Sequence, residues 1–215
     1  MSETRSSVPS VCRALLMTGA AWLALACAGA AQAQDQQSLA TIPQAPLVKA
    51  PPADGLGDDV PPGELNRSTK PGQHFGYPYW NGKFKVAGSA AAPDLKDMKE
   101  PANAVFPQVE FPAHQAQLGM TFYNGKMFPA KYQGGMFVAS HGSWNRTKAT
   151  GALINFVPLN PDGTAGKAEV FADGWLDANG VYKGRPVDVA PMKDGSILIS
   201  DDYVGAIYRV TYSPN

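Results

Sequence analysis

The sequence predicts an all-β chain built from repeated antiparallel units, and three observations carry that reading. From Pro107 onward, short runs rich in Val, Ile, Phe and Tyr alternate with Gly, Asn and Asp turns. Two stretches of these runs align with each other: Met120-Thr121-Phe122-Tyr123 with Val187-Asp188-Val189-Ala190, Met136-Phe137-Val138-Ala139 with Ile197-Leu198-Ile199-Ser200, and Ala152-Leu153-Ile154 with Ala206-Ile207-Tyr208. The repeat has a period of about 65 residues. The earlier unit holds four strands and the later one three before the sequence reaches Asn215. Repeated four-stranded antiparallel units are the sequence signature of a β-propeller, with a β-sandwich of similar strand count as the alternative. Propellers close with about four to eight blades, so this chain reads as an incomplete arc of about two to three blades with exposed edges.

Each segment has its own justification. Arg5 and Arg13, the apolar run Ala14 to Ala26 and the small-residue site Ala31-Gln32-Ala33 give residues 1–33 the form of a secretory signal peptide. Its apolar run is too short to span a bilayer, so export without a membrane span is expected, to the periplasm or the exterior. Both cysteines, Cys12 and Cys27, fall within this leader, which leaves the mature chain without disulfides or thiolate chemistry. Residues 34–54 are rich in Gln, Ala and Pro and read as a linker. Residues 55–215 form the expected partial propeller. It opens with a long Gly- and Pro-rich loop that carries the aromatic cluster Phe75 to Trp80. Strands are predicted at 119–123, 135–140, 152–159, 169–175, 187–191, 196–200 and 206–212.

The 215 residues carry a formal net charge of +0, with 17% charged and 44% hydrophobic side chains. That balance argues against nucleic acid or an anionic membrane surface as partner. No Gly-x-Ser-x-Gly elbow, P-loop or helix-opening Gly-x-Gly-x-x-Gly is present. His74, His114 and His141 lack a zinc-ligand spacing.

Polar chemistry concentrates at two strand ends, Ser140-His141-Gly142-Ser143-Trp144-Asn145-Arg146 and Gly184-Arg185-Pro186-Val187-Asp188. These stretches, with GDDVPPGELN (57–66), GQHFGYPYW (72–80), LGMTFYNGKMFP (118–129), FADGW (171–175) and the continuation to Tyr212, resemble the glucose/sorbosone dehydrogenase family. Members are exported six-bladed propellers that bind pyrroloquinoline quinone (PQQ) and calcium and oxidise sugars. The resemblance covers the family's C-terminal part, and the segment bearing the general-base histidine of the best known members has no counterpart.

The resemblance implies roles for particular residues. Arg185 would bind a carboxylate of the planar cofactor, since a guanidinium fork matches a carboxylate in bidentate fashion. Better known members use an Arg-x-Arg pair there, where this chain has Val187 at the second place. Arg146 would add a second cationic contact, and His141 would pack on the quinone or bond substrate. His141 and His114 are the candidate proton acceptors, imidazole being the side chain that titrates near neutrality. Trp144 is expected to pack beneath its loop. Glu64 with Asp59 is the candidate calcium site, carboxylate oxygens being the ligands calcium prefers. The implied activity is oxidation of a sugar hydroxyl or hydrated aldehyde by hydride transfer to PQQ. The alternatives are a non-catalytic partial propeller that binds cofactor or sugar, self-associates or pairs with a second chain, and a truncated gene product.

Overall fold

The computed structural model describes residues 56–86, 96–97 and 99–214. The expected leader (1–33) and linker (34–54) lie outside the described residues. Eleven strands follow one another: β1 Gly63–Leu65, β2 Trp80–Asn81, β3 Phe84–Lys85, β4 Val109–Phe111, β5 Gln117–Phe122, β6 Met136–Ser140, β7 Leu153–Val157, β8 Glu169–Ala172, β9 Pro186–Pro191, β10 Ile197–Asp201 and β11 Ala206–Val210. Among the described residues there is no α-helix, and the one helical turn is a 3-10 turn at Ala130–Tyr132.

The strands form antiparallel sheets in the order β5-β6-β7-β8 and β9-β10-β11, with the pairs β1-β4 and β2-β3 beside them. This is the expected partial propeller: one complete four-stranded blade, one three-stranded blade and a pair of strands that precedes them. β5, β6 and β7 correspond to β9, β10 and β11, as the internal repeat requires. The β1-β4 pairing, Glu64 opposite Glu110, was not predicted. The stretch expected to be a long loop therefore contains strands β1, β2 and β3.

Side-chain alternation along the strands explains how the blades stack. On one face of the four-stranded sheet, Phe137, Ala139, Ile154 and Phe156 bury against Val189, Ile197 and Ile199 of the next blade. On the other face, Met136, Val138 and Val157 bury against Leu65, Val109 and Phe111 of β1 and β4. Aromatic rings fill the outer part of the inter-blade core. Phe137 and Phe171 have centroids 4.6 Å apart, and Tyr132 meets Phe156 edge-on at 4.8 Å. The buried Tyr123 hydroxyl donates to Gly195 O at 2.6 Å and accepts from Phe128 N at 3.2 Å, so this fully buried phenol is satisfied across the blade boundary.

The two inner strands, β5 and β9, approach too closely for any side chain at one position. A Cβ built on Gly119 would lie 2.6 Å from the Asp188 Cα, a backbone atom that no rotamer change can move. The glycine of the LGMTF run is thus a packing requirement set by the other copy of the repeat.

A second constraint sits at the end of β10. Asp201 is 3% exposed, and its carboxylate accepts from the backbone N–H groups of Tyr203 (3.0 Å) and Val204 (3.2 Å) and from the Tyr208 hydroxyl (3.0 Å). Burial pushes the Asp201 carboxyl up, but hydrogen bonds from the backbone of Arg185 and Val204, the Tyr208 hydroxyl and the Tyr203 backbone outweigh it and hold the group below its ordinary 3.8.

Two outcomes follow from these contacts. Gly119→Ala should lower the urea midpoint by the equivalent of about 1–3 kcal/mol through overpacking of the blade boundary, and an unchanged midpoint would show that the strands can separate freely. A carboxyl whose folded value is depressed stabilises fully above its unfolded value, and that contribution disappears as pH falls through the folded one. Urea melts from neutrality down to about pH 3 should therefore show a shallower acid decline for Asp201→Asn than for the unaltered chain. Parallel declines would remove Asp201 from the acid response.

Candidate functional site

Strand register brings one end of each blade to a common rim. Gln117, Ser140 and Leu153 align at the end of the first blade, and Pro186, Asp201 and Ala206 align at the equivalent end of the second. The segment after β6 begins with His141 and the turn after β10 begins with Asp202, so these two residues hold corresponding places in the repeat. They meet: His141 Nε2 lies 2.9 Å from Asp202 Oδ1. The imidazole is 19% exposed and the Asp202 side chain 63%, which makes this a pair at the lip of the rim and not a core ion pair.

Arg185 fixes the loop that carries His141. Its Nε donates to His141 O at 3.1 Å, and its Nη2 donates to Gly142 O at 2.5 Å and Ser143 O at 3.1 Å, taking three successive carbonyls of the preceding blade's loop. The guanidinium also lies over the Tyr182 ring, 4.6 Å from its centroid. The Tyr182 hydroxyl sits 3.0 Å from the carbonyl oxygens of Ser143 and Thr150 and 3.0 Å from Ser143 Oγ. Within the loop, Ser143 N donates to Thr150 O at 2.9 Å and Thr150 N to Ser143 Oγ at 3.1 Å. His141 N and Gly142 N reach back to Ala116 O and Gln115 O, each at 2.9 Å.

Arg146 ties the far side of the same loop to the N-terminal part of the described chain. Nη1 donates to Asp58 O at 2.6 Å and Ala113 O at 3.2 Å, and Nη2 pairs with Asp59 Oδ1 at 3.2 Å. The expected cofactor cation and one expected calcium ligand are therefore partners of each other. Beside them, the Asp58 carboxylate accepts from Thr147 N at 3.0 Å. That backbone hydrogen bond is the main reason its carboxyl lies below the ordinary value, with burial opposing and the Arg146 charge adding to the depression.

The other predicted residues are placed as follows. His114 Nε2 lies 2.7 Å from Gly57 O, on a residue whose backbone takes a φ of 65°. Glu64 is bonded to Gly82 N, and it accepts from Asn66 Nδ2 at 2.9 Å. Glu64 and Asp59 thus take separate partners, and among the described residues no group of three or more His, Cys, Asp or Glu is placed to hold a metal ion. Trp144 corrects an expectation: it does not pack beneath its loop but stands 77% exposed at the loop's tip. Its neighbour Ser143 is the residue that meets Tyr182. Tyr182 and Asp202 were missed as site residues. The only sequence signals for them are a tyrosine three residues before Arg185 and the second Asp of a common turn doublet.

Comparison with known proteins gives the arrangement a family. Residues 61–213 match the TrAA12-like family model. An uncharacterized protein of Borreliella burgdorferi is 41% identical over 162 residues, covering 74% of this chain and 41% of the relative. Among solved structures, the calcium structure of the Trichoderma reesei Carbohydrate-Active Enzymes Family AA12 protein aligns with a TM-score of 0.53 at 19% identity, covering 72% of this chain and 44% of the other. The iodide structure of the same protein gives 0.52 at 20% identity, covering 71% and 44%. These structures share the fold, and the chain spans less than half the length of each of these relatives. Because the family model covers most of the sequence and nearly all of both blades, the chain belongs to the TrAA12-like family.

Proposed function

We propose that this chain is an exported sugar oxidoreductase of the glucose/sorbosone dehydrogenase type, whose rim around His141 and Arg185 contributes to a PQQ-dependent site. The observation that carries the reading is the convergence of the two most family-specific stretches, SHGSWNR and GRPVD, on one rim through Arg185 and the His141–Asp202 pair. Membership of the TrAA12-like family, and the fold shared with a protein described as Carbohydrate-Active Enzymes Family AA12, support the substrate class, and the form of residues 1–33 supports export to the periplasm or exterior.

The residues present fit PQQ through one group above all. Arg185 lies over the Tyr182 ring with Nε and Nη2 given to loop carbonyls, and its Nη1 has no hydrogen-bond partner among the described residues, which leaves that one nitrogen to meet a carboxylate oxygen. Arg146 would need to give up Asp59 to take another carboxylate, and His141 borders the same loop. When bound, PQQ supplies the two-electron acceptor that side chains lack. The chain's own contribution is a proton acceptor: with Nε2–H donated to Asp202, His141 Nδ1 keeps the lone pair that would take a proton from a sugar hydroxyl, and Asp202 would stabilise the imidazolium. The donor set at Glu64 and Asp59 does not fit calcium, because the two carboxylates take separate partners.

A second reading has its own observation. Three of Arg185's contacts are to carbonyls of the neighbouring blade, which suits a structural strut in a cofactor- or sugar-binding module without turnover. Exposed Met120 and Phe122 on one side and Ile207 on the other would then be surfaces for a second copy or another chain.

One experiment separates the readings: PQQ titration of the full chain with calcium present, paired with dye-linked oxidation of glucose and sorbosone and with a size-exclusion mass. The dehydrogenase reading expects saturable PQQ binding and acceptor reduction, at least about tenfold weaker PQQ binding for Arg185→Ala, and about 100-fold slower turnover with cofactor binding retained for His141→Gln. PQQ bound without acceptor reduction would establish the binding module instead. No PQQ binding would overturn the cofactor assignment.

A further inference from the structure

A pocket opens at the end of the first blade opposite the rim. Gln117, Ser140 and Leu153 align at the rim end of that sheet, whereas Phe122, Met136 and Val157 align at the other. The pocket has a volume of about 420 Å³, and Leu65, Phe122, Met136, Leu159 and Ala165 supply its apolar lining. Leu65 and Met136 belong to the core cluster and are 6% and 8% exposed. Phe122, directly opposite Met136 on the neighbouring strand, is 57% exposed. A bare phenyl ring thus stands beside the edge of the core, where a ligand entering the pocket would cover it.

Two hydrogen bonds join the walls. Residues 159–165 fold back as a turn, with an antiparallel bridge between Leu159 and Ala165, and with Asn160 N and Gly163 N donating to Thr164 O and Asn160 O, each at 2.8 Å. Arg67 Nη2 donates to Asp162 O of this turn at 2.9 Å, and Ala165 N donates to Gln108 Oε1 at 3.2 Å. Gly163 lies so close that a Cβ there would be 3.1 Å from Arg67 Nη2 and 3.3 Å from its Cζ, so the guanidinium is seated against the turn.

The polar groups at this pocket are chiefly donors. Arg67 Nε and Nη1 have no hydrogen-bond partner among the described residues, Gln108 keeps its Nε2, and no acidic side chain lines the pocket. The adjacent Asp162 carboxylate accepts from Thr164 N at 2.9 Å and Thr164 Oγ1 at 2.6 Å, and Asp162 bonds Arg67 through its backbone carbonyl. An apolar interior beside a guanidinium selects a molecule with an apolar body and one anionic end, and a carboxylate is the anion that guanidinium N–H groups match. At about 30 Å³ for each water-sized group, the volume admits a carboxylate with a chain of about ten carbons.

We infer that this pocket binds a medium-chain aliphatic monocarboxylate, with the carboxylate on Arg67 and the chain against Phe122, Leu65 and Met136. This goes beyond the rim and does not rest on it, since neither PQQ nor turnover is required.

Isothermal calorimetry on the full chain without PQQ tests the inference, with decanoate, hexanoate and 1-decanol as probes. Decanoate should bind saturably at one per chain. Hexanoate should bind about 100-fold more weakly, because about four methylenes leave the apolar wall, and decanol at least about tenfold more weakly, because it brings no charge. Arg67→Ala should abolish the preference for decanoate over decanol, and Arg67→Lys should keep part of it. Phe122→Ala should weaken both ligands alike, by about tenfold. Arg67 and Phe122 both reach the surface, so melting temperatures near that of the unaltered chain are expected, and lost binding will not reflect lost fold. The inference is overturned by the absence of saturable decanoate binding, by equal binding of decanoate and decanol to the unaltered chain, or by a preference for decanoate that survives in Arg67→Ala.

Discussion

The structure depends on one constraint: each blade is a sheet with two apolar faces, and both must be covered. The four-stranded blade meets it with the next blade on one side and with β1 and β4 on the other. Each buried face removes apolar area worth about 25 cal/mol per Å², and the aromatic rings between the blades account for much of that area. Where cover stops, apolar residues emerge. Met120 and Phe122 share the face of β5 that β1 and β4 do not reach, and Ile207 lies on a face of β11 that no other described strand covers. The same pattern that buries Phe137 leaves these side chains in water, because strand alternation gives every sheet two faces whether or not both have partners.

Blade docking also sets the rim. The contacts that tether it run between blades: Arg185 and Tyr182 come from the approach to β9, and the carbonyls they hold belong to the loop after β6. A guanidinium that donates to three backbone carbonyls and lies over a phenol ring is held in place, and it holds His141 and Ser143 in turn. Asp201 extends the chain of constraint, since its buried carboxylate accepts from the Arg185 backbone and from the turn that presents Asp202. The two halves of the His141–Asp202 pair are therefore positioned by one connected set of hydrogen bonds.

The sequence was informative where structure is local and silent where it is relational. All seven strands of the two blades were legible because their runs of Val, Ile and Phe alternate and end at Gly or Asn. The β1-β4 pair was not, since strands of three residues among prolines have no period to detect. His141 and Arg185 stood out as polar residues at strand ends. Their partners did not, because Asp202 and Tyr182 acquire roles only when two blades dock, and no spacing within one segment encodes that. The same limit applies to Trp144: a large apolar side chain is expected to pack beneath its loop, yet the loop is held by contacts from the other blade and the indole stands exposed. The Arg146–Asp59 pair, between residues expected in different roles, is likewise a fact of tertiary structure.

Formation of the rim consequently depends on docking of the two blades. If the blades separated, the aromatic core would open and Gly119 would lose its contact with Asp188. The carbonyls of His141, Gly142 and Ser143 would then return to water as Arg185 withdrew. A loop freed in this way would regain rotamer and backbone freedom at about 1–2 kcal/mol per residue, which any ligand would have to offset again on binding. Preorganisation of the rim is thus maintained by apolar burial some distance beneath it. Substitutions in the inter-blade core should accordingly loosen the rim before they unfold the chain, because the Arg185 tether depends on the separation of two sheets and the core itself tolerates small adjustments.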